Sequence, residues 1–211
     1  MEFPDYNLYM MCGEMNRGAF RPIPEGFHVR ACRPDELGLW KRIHFDRPET
    51  ADAFAPFMDD FFDRVYRARS DLFFERCRFI CDAEDIPLGT CFLWEVYGGY
   101  TTLHWFKVKR SHEDRGLGRA LLSHVLGEYA RPGEPIYLHT QPSSFRAIHL
   151  YSDFGFELLT DAEAGGRPNH WRESLPLLER AMPEAAFRSI RLARSDGRFF
   201  EAAARAGAPQ F

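Results

Sequence analysis

The run VKRSHEDRGLGRALL, residues 108–122, places Gly116 and Gly118 one residue apart among Lys109, Arg110, Arg115 and Arg119, with Lys107 just ahead of it. A strand-like stretch ends at Val108 and a helical apolar pattern begins after the glycines. A strand, a charged glycine-containing loop and a helix start together aim unpaired backbone N–H groups and the positive end of a helix dipole at one spot. That spot suits anions, phosphates above all. The glycines let the backbone approach a ligand with no Cβ in the way. Two familiar phosphate loops do not fit. A dinucleotide fingerprint needs a third glycine where Leu121 stands, and a Walker loop needs Lys and Ser or Thr where Arg119 and Ala120 stand. Alone, a Gly-x-Gly also suits a plain tight turn.

Those residues need a frame. Phe27–Ala31 reads as a short strand, and Pro34-Asp35-Glu36 opens a helix to about Ile43, with acids in its first turn. From Thr50 the apolar positions Phe54, Phe57, Met58, Phe61, Phe62, Val65 and Tyr66 repeat with helical spacing. This stripe is either core or one wall of an aromatic pocket. Arg78–Ala83, Leu88–Tyr97 and Tyr100–Lys107 read as three strands, joined by short turns at Asp85–Pro87 and Gly98-Gly99, hence as antiparallel hairpins. The helix after Gly118 stops at Pro132-Gly133, and Pro135–Thr140 is again strand-like, so this stretch reads as a parallel crossover. Ser143 or Ser144 caps a helix running to about Asp153, Gly155 ends it, and Phe156–Leu159 resumes as strand. Beyond Asp161 the pattern weakens. Leu175–Ala186 and Phe199–Arg205 read as helix, and Ser189–Ala193 as a strand.

The 211 residues divide into an N-terminal extension (1–26) packed on the domain, a core domain (27–160) and a C-terminal part (161–211) of helices with a possible last strand. A net charge of −4 speaks against a nucleic-acid partner. No run of about 18 apolar residues suggests a membrane span, and residues 1–15 do not read as a secretory signal, so the expected location is cytoplasmic. Five irregularly spaced cysteines argue against a disulfide framework, and the Cys77–Cys81 spacing is wrong for the common metal pairs. No metal is expected.

VKRSHEDRGLGRALL together with SSFRAIHLYSDFGFELL, residues 143–159, resembles the GNAT acetyltransferase superfamily. The first stretch is similar to the family's Gln/Arg-x-x-Gly-x-Gly/Ala pyrophosphate motif, the second to its Asn-x-x-Ala-x-x-x-Tyr…Gly-Phe segment. The likeness runs over about Phe27–Leu159. It departs at Glu113, where the motif has Gln or Arg, and at Ser144, where it has Asn.

The resemblance implies an α+β (α/β) fold: a mixed, mostly antiparallel central sheet, two splayed parallel central strands, and helices on both faces. It implies acetyl-coenzyme A as co-substrate and direct attack by a primary amine within a ternary complex. Backbone N–H groups at Gly116, Leu117, Gly118, Arg119 and Ala120, with the Arg115 and Arg119 side chains, would hold the pyrophosphate. The strand ending Phe106-Lys107-Val108 would pair with the pantetheine arm; at Ser144 a side-chain contact to that arm is either lost or made by its hydroxyl. Tyr151 stands at the family's tyrosine acid position. His104, placed by strand alternation on one face with Thr102, Phe106 and Val108, matches a histidine that some relatives carry and is the candidate base. His139, Glu95 and water compete for that role, and Thr102 falls where other relatives carry a glutamate. The expected partner is a small-molecule amine; a monomer and a homodimer both fit. The alternative is a non-catalytic coenzyme A-binding sensor or interaction module of the same fold.

Overall fold

The computed structural model describes residues 3–164 and 166–210. In chain order its elements are β1 (Leu8–Cys12), β2 (His28–Ala31), α1 (Leu37–Ile43), α2 (Pro48–Val65), α3 (Ser70–Arg76), β3 (Arg78–Cys81), β4 (Pro87–Val96), β5 (Tyr100–Val108), α4 (Leu117–Tyr129), β6 (Ile136–Thr140), α5 (Phe145–Asp153), β7 (Glu157–Leu159), β8 (Glu163–Ala164), β9 (Arg167–Pro168), α6 (Trp171–Ala181), α7 (Glu184–Arg188), β10 (Leu192–Ala193) and α8 (Arg198–Ala206). They form two compact units. One holds the chain up to Ala19, Glu95–Leu103 and everything from Arg131; the other holds Phe20–Trp94 and His104–Ala130. Strands β4 and β5 each run through both. Among the described residues, no helix is long and apolar enough to cross a membrane.

In the first unit the strand order is β10-β7-β1-β6-β5. Strand β1 pairs antiparallel with β6 from Leu8↔Thr140 to Cys12↔Ile136, and antiparallel with β7 at Met10↔Leu158. Within the stretch expected as an N-terminal extension packed on the domain, Leu8–Cys12 supplies an inner strand. The reason is apolar: Leu8, Tyr9, Met10 and Cys12 are all buried, and a strand covered on both faces loses the period-two pattern that would betray it. Strand β10 adds in parallel to β7 at Leu192↔Leu158, and β6 runs parallel to β5 at Thr101↔Ile136 and Thr102↔Tyr137. Helix α8 lays Phe199 flat on Tyr137, ring centroids 4.0 Å apart. Past it the chain is tied down by Gln210, whose N–H donates to the Tyr97 hydroxyl at 3.1 Å while its Oε1 accepts from the Tyr97 N–H at 3.0 Å.

In the second unit the order is β5-β4-β3-β2, with β2–β3 and β3–β4 antiparallel. Helices α1, α2 and α3 bring Trp40, Met58, Phe62, Tyr66 and Phe73 together with Phe92 of β4, each nearly inaccessible to water. The α2 stripe is therefore core at Met58, Phe61 and Phe62, but Phe54 and Phe57 at its N-terminal end stay about half exposed (48% and 49%). Helix α3 has no counterpart in the sequence reading: seven residues carry too few turns to show a period. Pro183 caps α7 and so divides the helix expected over Leu175–Ala186 into two.

Gly155, between α5 and β7, lies at φ +97°, and a Cβ there would stand 2.6 Å from the Glu14 carbonyl oxygen. Gly133 also has positive φ, but nothing lies within 4 Å of its would-be Cβ. Gly155→Ala should lose about 3 kcal/mol of unfolding free energy, strain and clash together, and Gly133→Ala about 1 kcal/mol. Urea denaturation checks this; equal losses would remove the close approach to Glu14 as the cause.

Candidate functional site

The loop between β5 and α4 lies wholly within the second unit. After Val108 the chain makes a single 3-10 turn at Arg110–His112, and Asp114 and Gly116 then take left-handed backbone at φ 61° and 76°. Gly116 is the N-cap of α4 in that conformation. Aspartate tolerates left-handed backbone better than most residues and glycine adopts it without strain, so the sequence favours this path locally. Gly116 is exposed, and open space surrounds its would-be Cβ. The amide of Ala120 donates to the Gly116 carbonyl at 3.0 Å, closing the first helical bond. Ala120, expected to offer its N–H to a ligand, thus already uses it inside the helix. The amides that a helix start leaves without an intrahelical acceptor are those ahead of Ala120. Leu117 and Ala120 bury their side chains and anchor the turn, while Arg115 is exposed and Arg119 half-buried. Lys107 is held by Asp46, Nζ to Oδ2 at 3.0 Å, and the Arg110 N–H points to the same carboxylate at 3.4 Å.

Upstream, β5 departs from regular strand geometry. Trp105 has φ 53°, a conformation that for a bulky aromatic is a genuine outlier and costs about 1–3 kcal/mol. Its indole Nε1–H donates to the Tyr66 hydroxyl at 2.9 Å, and the same hydroxyl lies 2.5 Å from Nδ1 of His104. In a regular strand adjacent side chains point to opposite faces. Here residues 104 and 105 both reach one phenol, so alternation breaks between them. The expectation that His104 shares its face with Phe106 and Val108 by simple alternation does not survive this break. Tyr66 had been read from sequence only as part of the apolar α2 stripe; nothing in its spacing distinguishes a phenol that organises a strand from a ring that fills core.

His104 is 3% exposed, and burial pulls its pKa down to about 3. A ring that weakly basic would take a proton from an alkylammonium uphill by on the order of 10 kcal/mol, which counts against the role of base. His139 on β6 is in like condition, its pKa brought to about 3 by burial first and then by Arg167, and its Nε2 donates to Asn7 Oδ1 at 2.9 Å. Glu95 is exposed on β4. In the first unit, Tyr151 lies on α5 with its side chain 6% exposed, its ring 5.7 Å from that of Phe156. Ser144 is the half-buried residue ahead of α5 and makes no side-chain cap bond to it.

Among the described residues, one grouping has the side chains to take a metal. His28, Cys81 and Asp85 bring ligand atoms within 4.8 Å of one another. The Asp85 carboxylate is already engaged by Arg30 at 2.5 Å and Arg33 at 2.7 Å, which hold its pKa well below the usual carboxylate range. A cation would have to displace two guanidinium groups there. All five cysteines are buried and reduced.

The acetyltransferase (GNAT) family model matches residues 42–156, which span α2, β5, the loop, α4 and α5. Among solved structures, a GCN5-related N-acetyltransferase from Sphaerobacter thermophilus is 22% identical with a TM-score of 0.50, over 72% of this chain and 48% of that one. A tandem GNAT protein from the clavulanic acid biosynthesis pathway is 15% identical with a TM-score of 0.53, over 74% of this chain and 51% of that one. At these identities the likeness is one of fold, and this chain spans about half the length of each. No curated protein matches the sequence.

The buried histidines make stability depend on pH. Burial lowers the pKa of both His44 and His104 to about 3. Between that value and the unfolded value near 6.5 the unfolded chain binds more protons, so stability is fully present above about pH 6.5 and falls as the pH drops. Each such histidine should contribute about 2 kcal/mol of loss between pH 7.5 and pH 5. Chemical denaturation at the two pH values should show the fall, and His44→Gln should reduce it by about one histidine's share; an unchanged slope in that variant would mean His44 does not stay neutral.

Proposed function

The chain belongs to the GNAT acetyltransferase family, and from that premise we propose that it transfers an acetyl group from acetyl-coenzyme A to a primary amine of a small-molecule acceptor. The observation that carries this reading is the start of α4, where exposed, left-handed Gly116 opens the helix with open space around its would-be Cβ, beside Arg115 and Arg119. A diphosphate is the natural ligand of such a turn. Gly116, Leu117, Gly118 and Arg119 would hold it through backbone N–H groups, and the backbone of Phe106, Lys107 and Val108 would pair with the amides of the pantetheine arm as an added strand does.

In the reaction the amine nitrogen attacks the thioester carbonyl carbon. An amide bond forms, the carbon–sulfur bond breaks, and the sulfur leaves with the electron pair. An N–H group aimed at the carbonyl oxygen stabilises the negative charge that develops there. Tyr151 is the proposed acid that returns a proton to the thiolate. With reference values near 10 for a phenol and 8.5 for a thiol, that transfer is uphill by about 2 kcal/mol, a gap that modest tuning closes. The amine's own proton leaves to water or to a neighbouring group.

A second reading has a specific observation in its favour. Glu113 and Asp114 stand in the loop, and Lys107 is bound to Asp46, so the turn holds less free positive charge than its sequence suggests. A module that binds coenzyme A without turning it over is compatible with that.

The two readings separate in one experiment: release of free thiol from acetyl-coenzyme A, measured across a library of amines. Acceptor-dependent release is expected. Thermal stabilisation by coenzyme A with no release for any amine would favour the sensor. Tyr151→Phe should lower turnover about 10- to 1000-fold with coenzyme affinity little changed, and full turnover in this variant would remove the acid role. Gly118→Val should weaken coenzyme A binding while the protein still folds; retained affinity would displace the diphosphate from this turn.

A further inference from the structure

The donors and acceptors around Tyr66 can be counted. The Trp105 indole nitrogen only donates, so at 2.9 Å the phenolic oxygen must accept from it. The phenol has a single proton, and His104 Nδ1 lies 2.5 Å away. If Nδ1 carried a proton, two N–H groups would point at one oxygen. The phenolic proton would then be left among the rings of Trp40, Phe73, Phe92 and Trp94, which pack around Tyr66 at centroid distances of 5.1–5.9 Å. The arrangement that satisfies every group runs one way: indole N–H to phenol oxygen, phenol O–H to imidazole Nδ1. A neutral imidazole whose Nδ1 accepts carries its proton on Nε2.

We propose that Tyr66 is a positioning residue that holds His104 as a neutral ring protonated on Nε2, which bars His104 from serving the transfer as its base, while the same hydroxyl holds Trp105 in its left-handed conformation. The part that concerns transfer rests on the acyltransferase reading; the proton's location does not. Burial acts in the same direction, since it disfavours the imidazolium form and pushes the Tyr66 phenol well above its ordinary range, keeping the O–H intact. Cys77, ahead of β3, raises the phenol's pKa and Arg64 on α2 lowers it, while His44 lies against the other side of Trp105, ring centroids 4.6 Å apart. A lone pair at Nε2, which a base requires, is absent in this tautomer.

Long-range proton–nitrogen NMR spectra of histidine-labelled protein test this directly, with the His104 signals assigned by their loss in His104→Gln. The wild-type ring should be neutral with its proton on Nε2, and should not titrate from pH 7.5 to pH 5. In Tyr66→Phe the His104 signals should shift toward a tautomer mixture. Coenzyme A affinity should stay within about two-fold. A wild-type ring protonated on Nδ1, or titrating between pH 5 and pH 8, overturns the proposal, as does a Tyr66→Phe spectrum identical to wild type at His104. Should Tyr66→Phe fail to fold, the wild-type spectrum alone decides the tautomer. Absence of turnover with every amine would sink the acyltransferase reading and leave the tautomer result standing.

Discussion

One phenolic oxygen governs the course of β5. The Tyr66 hydroxyl, just past the end of α2, binds two consecutive residues of that strand, and it can do so only because Trp105 leaves regular extended geometry. The strained backbone and the buried hydroxyl support each other. Left-handed Trp105 needs hydrogen bonds and ring packing to offset its cost, and Tyr66, ringed by aromatic side chains, needs polar partners for its hydroxyl. Trp105 finds those rings in Trp40, His44 and Phe61, at centroid distances of 4.6–5.8 Å. Part of the aromatic load that composition alone reports as 15% of residues surrounds the point where a strand is held off its ideal path.

The consequences run down the strand to the loop. Past Trp105 the backbone of β5 lies hard against β4: a Cβ at Gly89 would stand 2.6 Å from the Lys107 carbonyl oxygen and 3.1 Å from Val108 Cγ2. Gly89, in the middle of a strand with no turn to make, is explained by that close approach and not by flexibility. The same segment ends at Lys107, whose ammonium finds Asp46 just after α1. The end of β5 is thus fixed by a glycine opposite its backbone, an ion pair at its penultimate residue, and Leu117 buried at the head of the following helix.

How much of this the sequence discloses follows from what residue types can encode. The hairpins around Asp85 and Gly98-Gly99, the stop at Pro132-Gly133 and the Gly116 turn are legible because glycine, proline and aspartate impose backbone geometry themselves. The α2 stripe is legible because period and burial coincide over most of its length. Strand β1 is not, since LYMMC is apolar on both faces and its partners, β6 and β7, lie more than a hundred residues away. Trp105 is less legible still: tryptophan has no preference for left-handed backbone, and its partners there, the Tyr66 hydroxyl 39 residues earlier among them, are tertiary. Sequence alternation therefore set His104 beside Phe106 and Val108, and the failure of that inference falls where tertiary contact overrides local rule.

The loop itself carries a last implication about how an anion would be held. Of the five cations that make the sequence look like a phosphate site, Lys107 is committed to an aspartate, while Glu113 and Asp114 add opposing charge. Charge on exposed side chains is also screened within about 8 Å at physiological salt. Backbone amides at a helix start are neither titrated nor rotated away. A ligand recognised chiefly by those amides must bring its phosphate oxygens close to the backbone, which is why the glycine at position 116 matters more to this turn than any one of its arginines.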